Sequence, residues 1–288
     1  MEIFVFRTFW CGIFLDYKFE IALFWRIFVV TKYLLYQEHK IMVKFLYDIY
    51  KWLIAYPLLV LITIIVTLSM IIGSRLFGSK WWGYYPAHVW GKCWCWLLFV
   101  RVNVVGKENI DKNTSYVFVA NHQGAYDIFS IYGYLGHNFK WMMKKSLEKI
   151  PFVGAACVNS EQIMVDRSSP MAMARSVVDA RKRLCNGMSL VVFPEGTRTL
   201  DGTMNSFKKG AFKLAVDFKL PLVPITIDGA YKILPRTSKF NIKYGTINIT
   251  IHKPILPTAG KPDMEALMQE TYDAMQSALP KELRTKMK

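Results

Sequence analysis

Cysteine is scarce in this chain, with five residues in 288. Cys11, Cys93, Cys95, Cys157 and Cys185 are odd in number, scattered, and without the paired spacing of a zinc site. No disulfide framework is indicated, and the thiols are expected as apolar packing residues in a reduced compartment. Acidic side chains are also short: 21 Asp+Glu face 37 Lys+Arg, a net charge of +16. Such a balance favours anionic partners, whether nucleic acid, an anionic bilayer or a phosphorylated substrate. No nucleic-acid module is present, and the basic residues are interleaved with an apolar segment, so nucleic acid is set aside. His88, His137 and His252 show no metal-ligand spacing, and no metal is expected. The GxSxG elbow of a serine nucleophile is missing. The N-terminal apolar runs lack the small-residue cleavage site of a secretory signal. There are no internal repeats and no low-complexity linkers.

Hydrophobic residues are plentiful, at 53%, and they concentrate in the first hundred positions. Trp52–Gly73 runs for 22 residues without a charge, enough to cross a hydrocarbon core about 30 Å thick at 1.5 Å per residue. Lys51 and Arg75 flank it, and Trp52, Tyr56, Trp81 and Trp82 stand where interfacial aromatics belong. His88–Val100, 13 residues with Lys92 inside, is too short to span. It is expected to lie at the interface or double back beside the first helix. Residues 1–41 are apolar but carry Arg7, Asp16, Lys18, Glu20 and Arg26. They read either as a further membrane-associated hairpin or as an extension upstream of a start at Met42. The division expected is therefore 1–41 as a hydrophobic extension, 42–100 as membrane-anchoring helices, and 101–288 as a folded domain.

From about Val102 short β runs alternate with helical ones. Candidate strands are Tyr116–Ala120, Ile163–Val165, Leu190–Phe193 and Leu222–Ile227, and candidate helices are Met171–Cys185 and Lys208–Lys219. Ile242, Tyr244, Ile247, Ile249 and Ile251 alternate about Gly245, which predicts a strand pair, and Met264–Met275 carries one apolar helical face. The expected fold is α/β: a mainly parallel mixed sheet flanked by helices, preceded by N-terminal membrane helices.

Four clusters carry chemistry. His122 follows the first strand directly, at the sheet end where ligands bind in open α/β folds, and Asp127 lies five positions on. On a straight helix that offset leaves them about 140° apart, so the chain must turn, and Gly124 permits a turn. If the two meet, the carboxylate fixes one ring nitrogen and leaves the other free as a base. Alone, such a pair more often consists of unrelated surface residues. Phe193–Arg198 (FPEGTR) follows another strand, and its Gly196, Thr197 and Arg198 offer donors suited to phosphate; its bland reading is a surface turn. Asp166-Arg167 at a strand end is a structural ion pair or a phosphate clamp. Val223–Thr226 (VPIT) suggests a pocket wall.

Their order and spacing are more specific than any one of them. NHQGAYD at 121–127, QIMVDR at 162–167, FPEGTR at 193–198 and VPIT at 223–226, with Lys144–Leu147 and Ile150–Gly154 between the first two, resemble the glycerolipid acyltransferase family over residues 50–255. Within it the chain resembles the 1-acylglycerol-3-phosphate (lysophosphatidic acid) acyltransferases. Two positions depart from the family pattern, which often has Ser at Gly124 and Gly at Glu161; both are expected to bear on acceptor choice.

The resemblance implies transfer of a fatty-acyl group from acyl-CoA or acyl-carrier protein to the sn-2 hydroxyl of 1-acyl-sn-glycerol-3-phosphate, giving phosphatidic acid. It implies no acyl-enzyme and no cofactor beyond the donor substrate, with the active site on the cytoplasmic face of a membrane. The catalytic pair would be His122 and Asp127; the glycerol-phosphate site would be Arg167, Glu195, Gly196, Thr197 and Arg198, with Lys144 nearby, and Glu195 would hold an arginine or a glycerol hydroxyl. Alternatives are another lysophospholipid as acceptor, a thioesterase in which His122 activates water, and a non-enzymatic basic lipid-binding membrane protein. A thioesterase needs no phosphate clamp, and a scaffold needs no His–Asp pair.

Overall fold

The computed structural model describes residues 29–33, 36–166, 169, 171, 176, 178, 180, 182–184, 188–238, 240–257 and 263–287. Readings that fall on residues 1–28, on Arg167, on Cys185 and on much of Met171–Cys185 lie outside the described residues.

The chain divides into two compact units, Met1–Pro57 and Leu58–Lys288. In the first, residues 36–50 are helical and Lys51–Ala55 form a π-helical turn. There the Lys51 ammonium pairs with Asp48 at 2.7 Å and lies 4.8 Å from the Tyr47 ring centre. Among the described residues one helical run, Val29–Phe77, is long and apolar enough to cross a membrane. Its C-terminal portion, α1 (Tyr56–Phe77), leads into a short aromatic turn of helix, α2 (Ser79–Trp82), and then α3 (Tyr85–Leu97).

The stretch expected to be interfacial, or doubled back, is mostly α3, and it lies beside the apolar helix: Trp90 Nε1 donates to Thr63 Oγ1 at 2.9 Å. Gly73 leaves room for the Trp82 ring, which a Cβ there would overlap at 2.2 Å. Gly91 does the same for the next helix, α4 (Tyr126–Tyr134), since a Cβ would sit 2.6 Å from the Phe129 carbonyl oxygen. The Trp94 and Phe129 rings stack at 4.6 Å and 9°.

Among the described residues seven strands form one sheet in the order β1-β7-β6-β2-β5-β3-β4: β1 Val100–Val105, β2 Val117–Ala120, β3 Phe139–Lys144, β4 Ile163–Val165, β5 Ser189–Val192, β6 Leu222–Asp228 and β7 Gly245–Ile251. Every neighbouring pair is parallel except β6–β7. β2 and β5, both fully buried, read as unbroken apolar runs because helices cover both faces. The crossovers β2–α4–β3 and β3–α5–β4, with α5 spanning Val153–Asn159, step toward one edge; β5–α6–β6, with α6 spanning Gly210–Phe218, steps back. Right-handed crossings then set α4 and α5 on one face and α6 on the other. The α6 face joins the C-terminal helix after the four-residue α7 (Ala230–Ile233), α8 (Met264–Ser277), in a core that includes Val117, Val119, Phe212, Leu214, Tyr272 and Met275. Tyr84, Tyr132, Phe139 and Trp141 make the aromatic layer on the other face.

One sequence expectation fails here. Ile242–Ile251 is not a strand pair: β7 begins at Gly245, in parallel register with Val100. Ile242 and Tyr244 precede the strand, in a segment where the Lys243 N–H caps the Ile233 carbonyl at the end of α7.

Candidate active site

The carboxyl ends of β2, β3, β4 and β5 lie along one edge of the sheet, because these strands are mutually parallel. His122, Lys144, Asp166 and the 193–198 loop therefore share that edge. Val223, Ile225 and Thr226 are buried within β6, where Thr226 Oγ1 donates to the Met275 carbonyl at 2.9 Å and meets His252 Nε2 at 2.9 Å.

Main-chain and side-chain bonds fix His122 before its ring is considered. The buried Asn121 side chain both donates to the Ile227 carbonyl (2.8 Å) and accepts from its N–H (2.7 Å), extending the β2–β6 ladder by one side chain. The His122 N–H donates to Glu195 Oε1 at 2.7 Å, and its carbonyl accepts from the Thr199 N–H at 2.9 Å. Glu195 Oε2 accepts from the N–H and the side-chain amide of Asn205 at 2.8 and 2.7 Å. The structure thus puts Glu195 in the frame that ties the 193–198 loop to His122, where its hydrogen bonds among the described residues come from His122 and Asn205. Burial pushes its carboxyl up to about 7, with the bonds from Asn205 and His122 opposing.

Asp127 sits in the first turn of α4 and folds back as the spacing required. Its Oδ2 lies 2.7 Å from His122 Nδ1 and accepts from the Gly124 N–H at 2.8 Å. The carboxylate is fully buried while the imidazole is partly open. Burial raises the Asp127 carboxyl, and the contact with His122 pulls it back toward the charged form. With the carboxylate charged, Nδ1 carries the proton and Nε2 keeps its lone pair; Nε2 has no hydrogen-bond partner among the described residues.

Gly124 serves differently from the expectation. It needs no left-handed backbone, but a Cβ there would lie 2.7 Å from the Leu234 carbonyl oxygen and 3.0 Å from that of Ala230. Glu161, where the family often has Gly, does adopt the left-handed region at φ +56, with its carboxylate accepting from Ser79 Oγ.

Sequence reasoning missed the ring stack. Phe193 lies flat on the His122 imidazole at 3.9 Å and 5°, and Trp141 lies on Phe193 at 5.1 Å and 28°. Phe193 was visible within its motif, but its partner is 71 positions away and nothing local announces the contact. Lys208 was missed as well: its N–H donates to the Pro194 carbonyl at 3.0 Å, and its Nζ would be 2.9 Å from a Cβ on Gly196. Gly196 itself needs the left-handed region, at φ +73. Thr197 and Arg198 make no side-chain hydrogen bond or ion pair with other described residues, and neither does Lys144. A cleft of about 400 Å³ opens beside β4, lined by Lys145, Glu148, Gln162, Asp166 and Arg183 among others; His122 does not line it.

A mixed, mainly parallel sheet with a His–Asp pair at one strand end and a glycine-containing loop beside it defines an α/β enzyme class. Residues 101–228 match the acyltransferase family model. An acyltransferase of Schizosaccharomyces pombe described as uncharacterized is 35% identical over 189 residues, covering 64% of this chain and 67% of that protein. A chloroplastic 1-acyl-sn-glycerol-3-phosphate acyltransferase of Arabidopsis thaliana is 40% identical over 162 residues, covering 54% of this chain and 44% of that protein. The crystal structure of the 1-acyl-sn-glycerophosphate acyltransferase of Thermotoga maritima superposes with a TM-score of 0.62 at 27% identity, over 76% of this chain and 92% of that one. The chain belongs to the acyltransferase family. It spans about half the length of the first three curated relatives it matches, from 44% to 55%.

Proposed function

We propose that the protein transfers a fatty-acyl group from a thioester donor, acyl-CoA or acyl-carrier protein, to the sn-2 hydroxyl of 1-acyl-sn-glycerol-3-phosphate, giving phosphatidic acid. The observation that carries this reading is the 2.7 Å bond from His122 Nδ1 to a buried carboxylate, which leaves Nε2 open. Nε2 takes the acceptor hydroxyl proton as the oxygen attacks the thioester carbonyl carbon. The C–O bond forms, the C–S bond breaks, and the departing sulfur takes the proton back from the imidazolium as a thiol. Asp127 orients the ring and stabilises its charged form; the Phe193 face holds the ring plane. No metal or cofactor enters these steps.

Arg198, Thr197 and the main chain at Gly196, with Arg167 and Lys144, are the groups we assign to the acceptor phosphate, because charge-assisted donors recognise phosphate best. Glu195 holds their loop in register with His122. The acyltransferase relatives and the apolar helix Val29–Phe77 support a membrane setting. We place the active site on the cytoplasmic face, where a soluble thioester reaches it.

The test is acyl transfer by the full-length protein, with a labelled donor and a panel of lysolipids plus an uncharged monoacylglycerol. His122→Ala is expected to lose about 10²–10⁴-fold in rate. Asp127→Asn lowers kcat with acceptor KM near wild type. Arg198→Ala raises KM for lysophosphatidic acid more than for the monoacylglycerol. Near-normal turnover by His122→Ala would sink the mechanism, and equal effects of Arg198→Ala on both acceptors would remove the phosphate assignment.

A further inference from the structure

Between β3 and α5 the chain makes a turn that the proposed chemistry does not use. Residues Lys145–Lys149 form a 3-10 turn. The Ile150 N–H then donates to the Leu147 carbonyl (3.2 Å), Val153 to Pro151 (2.7 Å), and Gly154 to Ile150 (2.8 Å). Phe152, at φ +59 and ψ −54, is the centre of a γ-turn of the rare, strained hand. Gly154 locks the turn shut, since a Cβ there would be 2.1 Å from the Glu148 carbonyl oxygen. Strain is thus spent on holding a Phe side chain outward, 61% exposed, with Leu147, Ile150 and Val153 also exposed beside it. Single exposed apolar residues are ordinary; four within seven positions of a locked turn are not. Lys145 and Lys149 flank the tip; Lys145 reaches Asp166 at 2.9 Å.

The turn's surroundings say what covers it. Asn159, at the far end of α5, accepts from Arg75 Nε at 2.6 Å. Arg75 belongs to the last turn of α1, where Ile72, Leu76 and Phe77 are exposed. A seven-residue helix is about 10 Å long, so the turn lies within that reach of the exposed end of the apolar helix. It also leaves β3 at the sheet edge that carries His122.

We propose that the 145–153 turn is a second membrane contact: an apolar wedge that seats Ile150 and Phe152 in the interface of an anionic bilayer, with Lys149 and Lys145 toward the headgroups. It rests on the membrane reading of α1 made under the proposed function. The wedge brings the His122 edge of the sheet to the bilayer in which a lysolipid acceptor resides. Apolar tips flanked by lysines match the chemistry of such an interface, fatty below and anionic above.

The experiment uses the full-length protein in phosphatidylcholine nanodiscs, with and without phosphatidylglycerol. An environment-sensitive fluorescent amino acid is placed singly at Phe152, at Ile150, at Leu61 on α1 and at Leu256, an exposed control after β7. Emission at 152 and 150 is expected to shift blue and to be quenched by lipids brominated near the headgroup, more strongly with phosphatidylglycerol, while 256 stays unquenched. Lys149→Glu is expected to reduce the anionic-lipid increment. Quenching at 61 but at neither 150 nor 152 overturns the wedge alone. No quenching at 61, 150 or 152 overturns the wedge together with the membrane reading. Quenching at 256 equal to that at 152 overturns the wedge as a specific contact. A shift at 152 only on adding an acidic carrier protein overturns it in favour of a protein partner.

Discussion

At the scale of the residue, the site depends on two buried carboxylates, Asp127 and Glu195, whose titration burial raises and hydrogen bonds pull back. Asp127 was legible in the sequence because the NHxxxxD spacing names both partners. The part played by Glu195 was not, because three donors converge on it from His122 and Asn205 only in the fold. Burial raises its carboxyl from about 4.5 to about 7. A group whose folded value lies above its unfolded one binds more protons when folded. Its contribution is present in full below about 4.5 and is lost as pH rises through about 7. Relative to Glu195→Gln, which does not titrate, the wild-type protein is expected to lose stability between pH 5 and 8, by an amount on the order of 1–3 kcal/mol. Paired unfolding measurements at the two pH values check this. A wild-type-minus-variant difference that does not change with pH would show that the Glu195 carboxyl is not held protonated in the fold.

Among the secondary-structure elements, the strands that carry the motifs were legible and the ones between them were not. β2 and β5 are buried on both faces, so their apolar runs stand out. β3 was missed because FKWMMK places Lys140 inside it, and a lysine ordinarily marks solvent. In the fold Lys140 is buried: its ammonium donates to the carbonyls of Ser160 (2.6 Å) and Ser79 (3.1 Å), and burial lowers its titration to about 8. That interaction joins β3, α5 and α2, and no local pattern reveals it. The segment from His122 to α4 gives the complementary case. There a glycine could be read as turn-forming, yet what it supplies is clearance from the Leu234 and Ala230 carbonyls. Gly124→Ser is expected to destabilise by about 1–3 kcal/mol, the usual cost of overpacking, even though Ser is frequent there in the resembling family. A lower Tm for the variant would be the supporting result. An unchanged Tm would mean that the 230–234 segment yields easily and that the clearance is not structural.

For the whole molecule, the issue is which apolar segments the folded unit needs. The α/β organisation could be read from strands alternating with helices, but the dependence of that unit on α1–α3 could not, because it rests on long-range contacts. Thr63 meets Trp90, Gly73 meets Trp82, Arg75 meets Asn159, and the Ser79 carbonyl holds the Lys140 ammonium. Deleting the chain through Lys80 removes one partner from each of these and leaves the buried Lys140 ammonium without its Ser79 acceptors, a costly loss for a charge out of water. Release from the membrane, or aggregation, is the expected outcome. A chain beginning at Met42 keeps every one of those contacts, the uncharged run Trp52–Gly73 and all four motifs. The segment it discards carries charges within its apolar runs, which are costly at bilayer depth. The Met42 version is therefore expected to fractionate with membranes and to transfer acyl groups at a rate near that of the full chain. Membrane fractionation and the acyl-transfer assay on both truncations check the pair. If the Met42 version were well expressed yet inactive, residues 1–41 would be a working part of the enzyme, and α1 with α3 would be an incomplete anchor.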